Sequence, residues 1–132
     1  MVGSPNRDRQ AERREATRRE ILATAWEIAH ESGLVSVTLR EIAARIGMQP
    51  PSLYSHFASK NAIYDAMFGQ AWRDFRAVLE KEAASFPADP RGRLLALGST
   101  YFDFAVSDLE RHQLMDMPML RDFTPRDRKS VV

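Results

Sequence analysis

Val37-Thr38-Leu39-Arg40-Glu41-Ile42-Ala43-Ala44-Arg45-Ile46-Gly47-Met48-Gln49-Pro50-Pro51-Ser52-Leu53-Tyr54-Ser55-His56-Phe57-Ala58-Ser59-Lys60-Asn61-Ala62 spells two short helices with a tight turn between them. Thr38 stands just ahead of an apolar-periodic run, where its hydroxyl can accept from a free backbone N–H, and Glu41 completes a capping box. Leu39, Ile42, Ala43 and Ile46 then recur at helical spacing and give the first helix one inward face. Gly47 predicts its end, because glycine takes the left-handed conformation without steric penalty. Met48-Gln49 forms the turn, and Pro50-Pro51 restart the chain, since a proline in the first helical turn gives up no useful N–H. The second helix is predicted from Pro51 to Phe57, with Leu53 and Phe57 inward at i and i+4. Its other face offers Ser52, Tyr54, Ser55 and His56. A helix this brief and polar does not exist for packing alone. Small hydrogen-bonding groups on its outer face are what reading the major groove requires.

A plain helical corner in an all-α domain is the competing reading. The density of signals argues against it: a capped helix, a glycine stop, a short turn, a polar helix, and Ser59-Lys60 opening another helix.

Upstream, a helix is predicted from Thr17 to Ser32, with Ile21, Leu22, Ala25, Ile28 and Ala29 on one face and Gly33 at its exit. Trp26 borders that stripe and reads as a packing residue. Residues 1–16 are polar, with Arg7, Arg9, Arg13 and Arg14 interleaved with Asp8, Glu12 and Glu15. The simpler reading is a flexible solvated arm that turns helical near its end. The functional one is a basic arm that meets phosphates or a minor groove, and the interleaved acids weaken it.

Downstream of Lys60 a long amphipathic helix is predicted to about Ser85, burying Ile63, Met67, Phe68, Ala71, Trp72, Phe75, Val78 and Leu79. Asp89 caps the next helix, with Pro90 at its first position. That helix carries Leu94, Leu95, Leu97, Tyr101, Phe102, Ala105 and Val106. A short helix follows Asp108 and is predicted to stop at Pro118. Arg121 to Val132 reads as loop or frayed end.

The run from Leu53 to Ala62, with Ile21-Leu22-Ala23-Thr24-Ala25 and Ser32-Gly33-Leu34 before it, resembles the TetR family of bacterial transcriptional regulators. The resemblance covers roughly residues 17–65, about half the chain, and beyond them it holds only in outline. It implies that outward residues of the second and third helices touch DNA and that the lysine opening the fourth grips a phosphate. On this chain those are Thr38, Arg40, Gln49, Pro50, Ser52, Tyr54, Ser55, His56 and Lys60. It also implies a pocket for an apolar or amphipathic effector among the later helices. The aromatics and methionines there have two readings, plain core or pocket lining, and Trp72, Phe75, Tyr101, Phe102 and Met115 are the candidates for lining. Family members usually continue through several more helices that pair two subunits, so a homodimer is expected of the full-length protein. The dimer-forming part looks absent here, and the tail Lys129-Ser130-Val131-Val132 reads as a truncation.

Composition narrows the rest. The formal charge is +1 over 132 residues, too small for a protein that coats nucleic acid indiscriminately. Before Asn61, however, nine Lys or Arg stand against seven Asp or Glu, and afterwards ten stand against eleven. The basic excess therefore sits with the helix-turn-helix, where a local patch suffices. There is no cysteine, which rules out disulfides and thiolate metal sites and suits the cytoplasm. No secretory signal opens the chain, and no run of about 18 apolar residues could form a membrane span. His30, His56 and His112 are scattered, no Gly-rich phosphate loop appears, and no serine sits in a nucleophile elbow. No enzyme activity, metal or cofactor is expected.

The expectation is thus an all-α chain in three parts. Residues 1–16 form an arm and 17–62 a three-helix helix-turn-helix domain. Residues 63–132 form a long connecting helix and the start of a helical effector-binding domain. The expected function is a cytoplasmic, DNA-binding transcriptional regulator, usually a repressor in this family, controlled by an unknown small molecule. Its expected partner is double-stranded DNA bearing a near-palindromic operator. The alternative is a helical protein–protein interaction module that binds no DNA.

Overall fold

The computed structural model describes residues 5–121, and among them it contains helices and no strand. In chain order these are α1 Pro5–Ser32, a one-turn 3-10 helix Leu34–Ser36, α2 Leu39–Ile46, α3 Pro50–Tyr54, α4 Lys60–Ala83, α5 Pro90–Ser107 and α6 Leu109–Arg121. The reading of the segment after Arg121 as loop lies outside the described residues. The chain divides into two compact units, Met1–Ala66 and Met67–Val132, so the division falls inside α4. No helix among the described residues is long and apolar enough to cross a membrane.

The first unit is built around α1. Its Ile21, Leu22, Ala25, Ile28 and Ala29 are buried together with Val37, Ile42, Ala43, Leu53, Phe57 and Ile63. Each α-helix of the unit thus gives an apolar face to one core, and the 3-10 helix buries no residue. Helix α1 is longer than its apolar stripe predicts, because the arm is helical from Pro5 onward. Residues 6–16 contain no glycine, proline or β-branched side chain, and Ala, Arg, Glu and Gln are good helix formers. They also extend a helix whose later turns are already packed, so only propagation is needed.

The caps were well marked. The Thr38 hydroxyl accepts from the Glu41 amide at 3.1 Å, as predicted. The return half of the capping box is not made, because the Glu41 carboxylate turns to Arg45 instead, at 3.0 Å. Gly47 adopts the left-handed conformation (φ 71°, ψ 29°), and the Met48 amide returns to the Ala43 carbonyl at 2.9 Å, a Schellman turn. Helix α3 starts one residue earlier than predicted. Gln49 precedes it, and its carbonyl accepts from Ser52 and Leu53. The regular helix ends at Tyr54, but hydrogen-bonded turns continue through Ser55, His56 and Phe57. Ser59 caps α4, its hydroxyl accepting from the Ala62 amide at 3.1 Å.

In the second unit Met67, Ala71, Phe75, Phe104, Leu114 and Met115 are buried. The α4 stripe is narrower than its apolar content predicts: Phe68 and Leu79 are half-buried, and Trp72 and Val78 are exposed. Asp89 caps α5 through the Gly92 amide at 2.7 Å. Most of α5's apolar side chains, Leu94, Leu95, Phe102 and Val106 among them, are uncovered. Asp108 caps α6 through the Arg111 amide at 3.0 Å. The Arg111 guanidinium lies 3.4 Å above the Phe104 ring and donates to the Phe104 carbonyl and the Ser107 hydroxyl. Pro118 does not stop α6, which runs to Arg121.

Candidate nucleic-acid interface

Helices α2 and α3 and the first residue of α4 carry the residues expected to meet DNA. Thr38, Arg40, Gln49, Pro50, Ser52, Tyr54 and Ser55 are exposed, while His56 and Lys60 are half-buried. Between α2 and α3 lies a cleft of about 160 Å³ lined by Leu39, Arg40, Pro50, Leu53 and Tyr54. It gathers three of the nine into one concavity over the buried Leu53. Because α3 has no side-chain cap of its own, its start rests on the two prolines and the Gln49 carbonyl. The Gln49 side chain is left out of the cap.

Electrostatics separates the two arginines of α2. Arg45 is paired with Glu31 at 2.8 Å and with Glu41 at 3.0 Å. Hydrogen bonds to those carboxylates raise its pKa further above the ordinary arginine value. Arg40 makes no hydrogen bond or ion pair among the described residues and projects into water beside the cleft. One cation is spent on structure and the other is available to a ligand.

Several of the nine also hold the fold. Thr38 is committed to the α2 cap. The Ser55 hydroxyl donates to the Ser52 carbonyl at 2.6 Å, so its lone pairs are what it can still offer. The Lys60 ammonium donates to the Val35 carbonyl at 2.9 Å and sits 5.3 Å from the Tyr64 ring centroid. Tyr64 itself donates to the neighbouring Leu34 carbonyl at 2.6 Å. The start of α4 is thereby tied to the turn ahead of α2. An ammonium has three donors, so Lys60 keeps two for another acceptor.

Sequence reasoning missed the role of α1 beside this face. Arg14 donates to the Ser55 carbonyl at 2.6 Å, closing the C-terminal end of α3. One turn on, the Arg18 guanidinium lies 4.4 Å from the Phe57 ring centroid. Burial, and then the charges of Arg14 and Arg18, hold the His56 imidazole below its ordinary pKa. The signal in the sequence was the spacing of two arginines by four, legible only once residues 14–18 are known to be helical.

The five candidates for an effector pocket are not gathered into one cavity. Phe75 and Met115 belong to the core, Tyr101 is half-buried, and Trp72 and Phe102 are exposed. Trp72, Phe75 and Tyr101 form a chain of edge-on ring contacts, at 6.0 Å and 5.3 Å. None of the five lines the groove of about 550 Å³ formed by Leu79, Ala83, Phe86, Pro90, Arg93, Leu94 and Leu97.

A capped helix, a left-handed glycine, and a short proline-started helix with a polar outer face define a helix-turn-helix unit. Comparison with known proteins agrees. Residues 21–67 match the family described as bacterial regulatory proteins, tetR family. Over 102 residues the chain is 32% identical to the HTH-type transcriptional activator FasR of Mycolicibacterium smegmatis, a match covering 77% of this chain and 46% of that one. It is 40% identical over 50 residues to the class C tetracycline repressor of Escherichia coli, covering 38% and 23%. With the transcriptional repressor KstR2 of Mycobacterium tuberculosis it shares 32% over 96 residues, covering 73% and 48%. Among solved structures, SCO4313 superposes with a TM-score of 0.64 at 31% identity, covering 80% of this chain and 49% of that one. A Rhodococcus protein described as of unknown function gives a TM-score of 0.64 at 28% identity, covering 74% and 50%. Residues 21–67 are the part of the chain that carries the tetR family's match, and its relatives over that part are transcriptional regulators. It spans about half the length, or less, of these relatives.

Proposed function

We propose that this chain is the DNA-reading part of a sequence-specific transcriptional regulator, a repressor by analogy with KstR2 and the tetracycline repressors. Residues 17–62 are the DNA-binding domain. Residues from 63 onward begin a domain that answers to a small-molecule effector and, in the full-length protein, pairs two subunits. The single observation that carries the reading is the face built by α2 and α3. Arg40, Gln49 and Tyr54 stand exposed on it, with no side-chain hydrogen bond among the described residues, over backbone turns bonded to one another.

In this mechanism two copies of α3 enter successive major grooves of a near-palindromic operator, about 34–36 Å apart. Arg40 suits guanine O6 and N7, and Gln49 suits adenine N6 and N7. Ser52 and Ser55 offer short hydroxyls to base edges, and Pro50 an apolar contact to a thymine methyl. Tyr54, His56 and the remaining donors of Lys60 are assigned to phosphates, and Thr38 fixes the α2 terminus. An effector releases the DNA only if it binds the two spacings of the paired readers with different affinity.

The test is fluorescence anisotropy of a random-sequence duplex titrated with the chain over a range of salt. DNA binding gives measurable affinity at low salt and a log–log slope of about −0.9 per phosphate neutralised. No affinity and no slope would leave the interaction-module reading in its place.

A further inference from the structure

We propose that residues 5–18 of α1 form a second DNA-contacting element, an arginine-faced helical arm lying along the phosphate backbone beside the groove that α3 reads. The inference rests on the DNA-binding reading above and extends it to a segment outside the helix-turn-helix. In sequence the segment looks mixed, with five arginines and three acids interleaved. Coiled into a helix it is sorted. At about 100° per residue, with Arg7 as origin, Asp8, Glu12 and Glu15 all fall between roughly 80° and 140°. Arg7, Arg14 and Arg18 fall within about 20° of the origin, and Arg13 and Arg9 lie at about 240° and 200°. One half of the helix surface therefore carries all five arginines and none of the acids.

The position of that half follows from its last turns. Arg14 holds the Ser55 carbonyl, and Arg18 covers Phe57, so the edge of the basic half that carries Arg7, Arg14 and Arg18 is the one turned to the C-terminal end of α3. The arm is continuous with the proposed DNA face. Arg7 lies seven residues further out, about 10 Å along the axis. Duplex DNA carries one charge per roughly 1.7 Å of its axis, so an arm of that length passes several phosphates. Being helical already, it avoids the ordering cost that a disordered basic tail meets on binding. Charge complementarity and continuity with the reading face select the DNA backbone as its occupant.

The experiment compares the whole chain with two variants against the same random-sequence duplex over a salt series. One is Arg7→Gln/Arg9→Gln/Arg13→Gln, which keeps Arg14 and Arg18 and uses a residue that sustains the helix. The other is Glu12→Gln/Glu15→Gln, which changes charge on the opposite side. Circular dichroism confirms that both stay folded. The arginine variant is expected to bind more weakly, with a slope shallower by about 0.9 for each phosphate that is no longer neutralised, up to about 2.7 for the three arginines. The glutamate variant is expected to keep the wild-type slope. A steep wild-type slope that the arginine variant retains would overturn the arm and leave the DNA reading standing. Slopes that shift in both variants would show an effect of net charge alone and overturn the arm as well. If the wild type binds no duplex, arm and reading fall together.

Discussion

Arg40 and Arg45 share an eight-residue helix and meet opposite fates, because Arg45 reaches Glu41 and Glu31 while Arg40 pairs with no acid among the described residues. The Glu41 partner is an i,i+4 pair legible in α2 itself, whereas the Glu31 partner comes from α1 and cannot be read from α2. The glycines divide in a similar way. Gly47 is left-handed at φ 71°, ψ 29°, a conformation asparagine also visits, whereas Gly33 sits at φ 92°, ψ 160°, a region essentially confined to glycine. An added Cβ meets nothing within 4 Å at either, so the penalty is conformational alone. Gly47→Ala should cost about 1 kcal/mol and Gly33→Ala about 2. Gly47→Asn should recover most of the loss, whereas Gly33→Asn should not. Thermal melts of the four variants check the order, and equal losses at the two sites would refute it.

His56 supplies a pH prediction at the same scale. Its imidazole is held below the ordinary value by burial first and by Arg14 and Arg18 after it. The folded chain therefore prefers the neutral ring, and the unfolded chain takes up more protons below pH about 6.5. This contribution to stability is complete above that pH, is lost as the pH falls toward the folded-state pKa, and levels off beneath it. Between roughly pH 7.5 and pH 5.5 the melting temperature of the wild type should fall further than that of His56→Gln. Identical profiles would remove His56 as the cause.

Among the elements, α3 is the least self-sufficient. Five residues cannot hold a helix by propagation, so α3 depends on its two prolines, on Leu53 in the core and on Arg14 at its end. Helix α2 has a side-chain cap that α3 lacks. Thr38→Ala should lower stability by about 1 kcal/mol, and Thr38→Ser should hold it near wild type. Chemical denaturation of the two variants decides between a capping role and a packing one. In the second unit the α5–α6 corner hangs on Arg111, whose flat guanidinium stacks on Phe104 while donating to two oxygens. Lysine cannot do both. Arg111→Lys is expected to cost on the order of 1 kcal/mol despite keeping the charge. An unchanged denaturation midpoint would show that charge alone matters there.

Over the whole molecule, the two units differ in how completely they bury their apolar side chains. The first closes around α1. In the second, Leu95, Phe102 and Val106 recur along one side of α5, and Leu95 and Phe102 each remain 64% exposed. Contiguous apolar surface of this kind associates in water. Light scattering on the purified 132-residue chain should show mass rising with concentration, and Leu95→Glu/Phe102→Glu should suppress the rise. A monodisperse wild-type monomer at high concentration would contradict this.

What the sequence determined by itself were the features set within a few neighbouring residues. The Thr38 cap, the left-handed Gly47, the proline start of α3 and the Asp89 cap all follow from local backbone chemistry and hold in the structure. Local propensity and periodicity also placed the buried faces of α1, α2 and α3. Tertiary structure decided the rest, because it depends on which side chain meets which across tens of residues. It set Arg14 on Ser55 from 41 positions away and Lys60 on Val35 from 25. It also left most of the apolar residues of α4 and α5 outside the core. An apolar residue at helical spacing marks a face that is able to be buried, and only the neighbouring elements determine whether anything covers it.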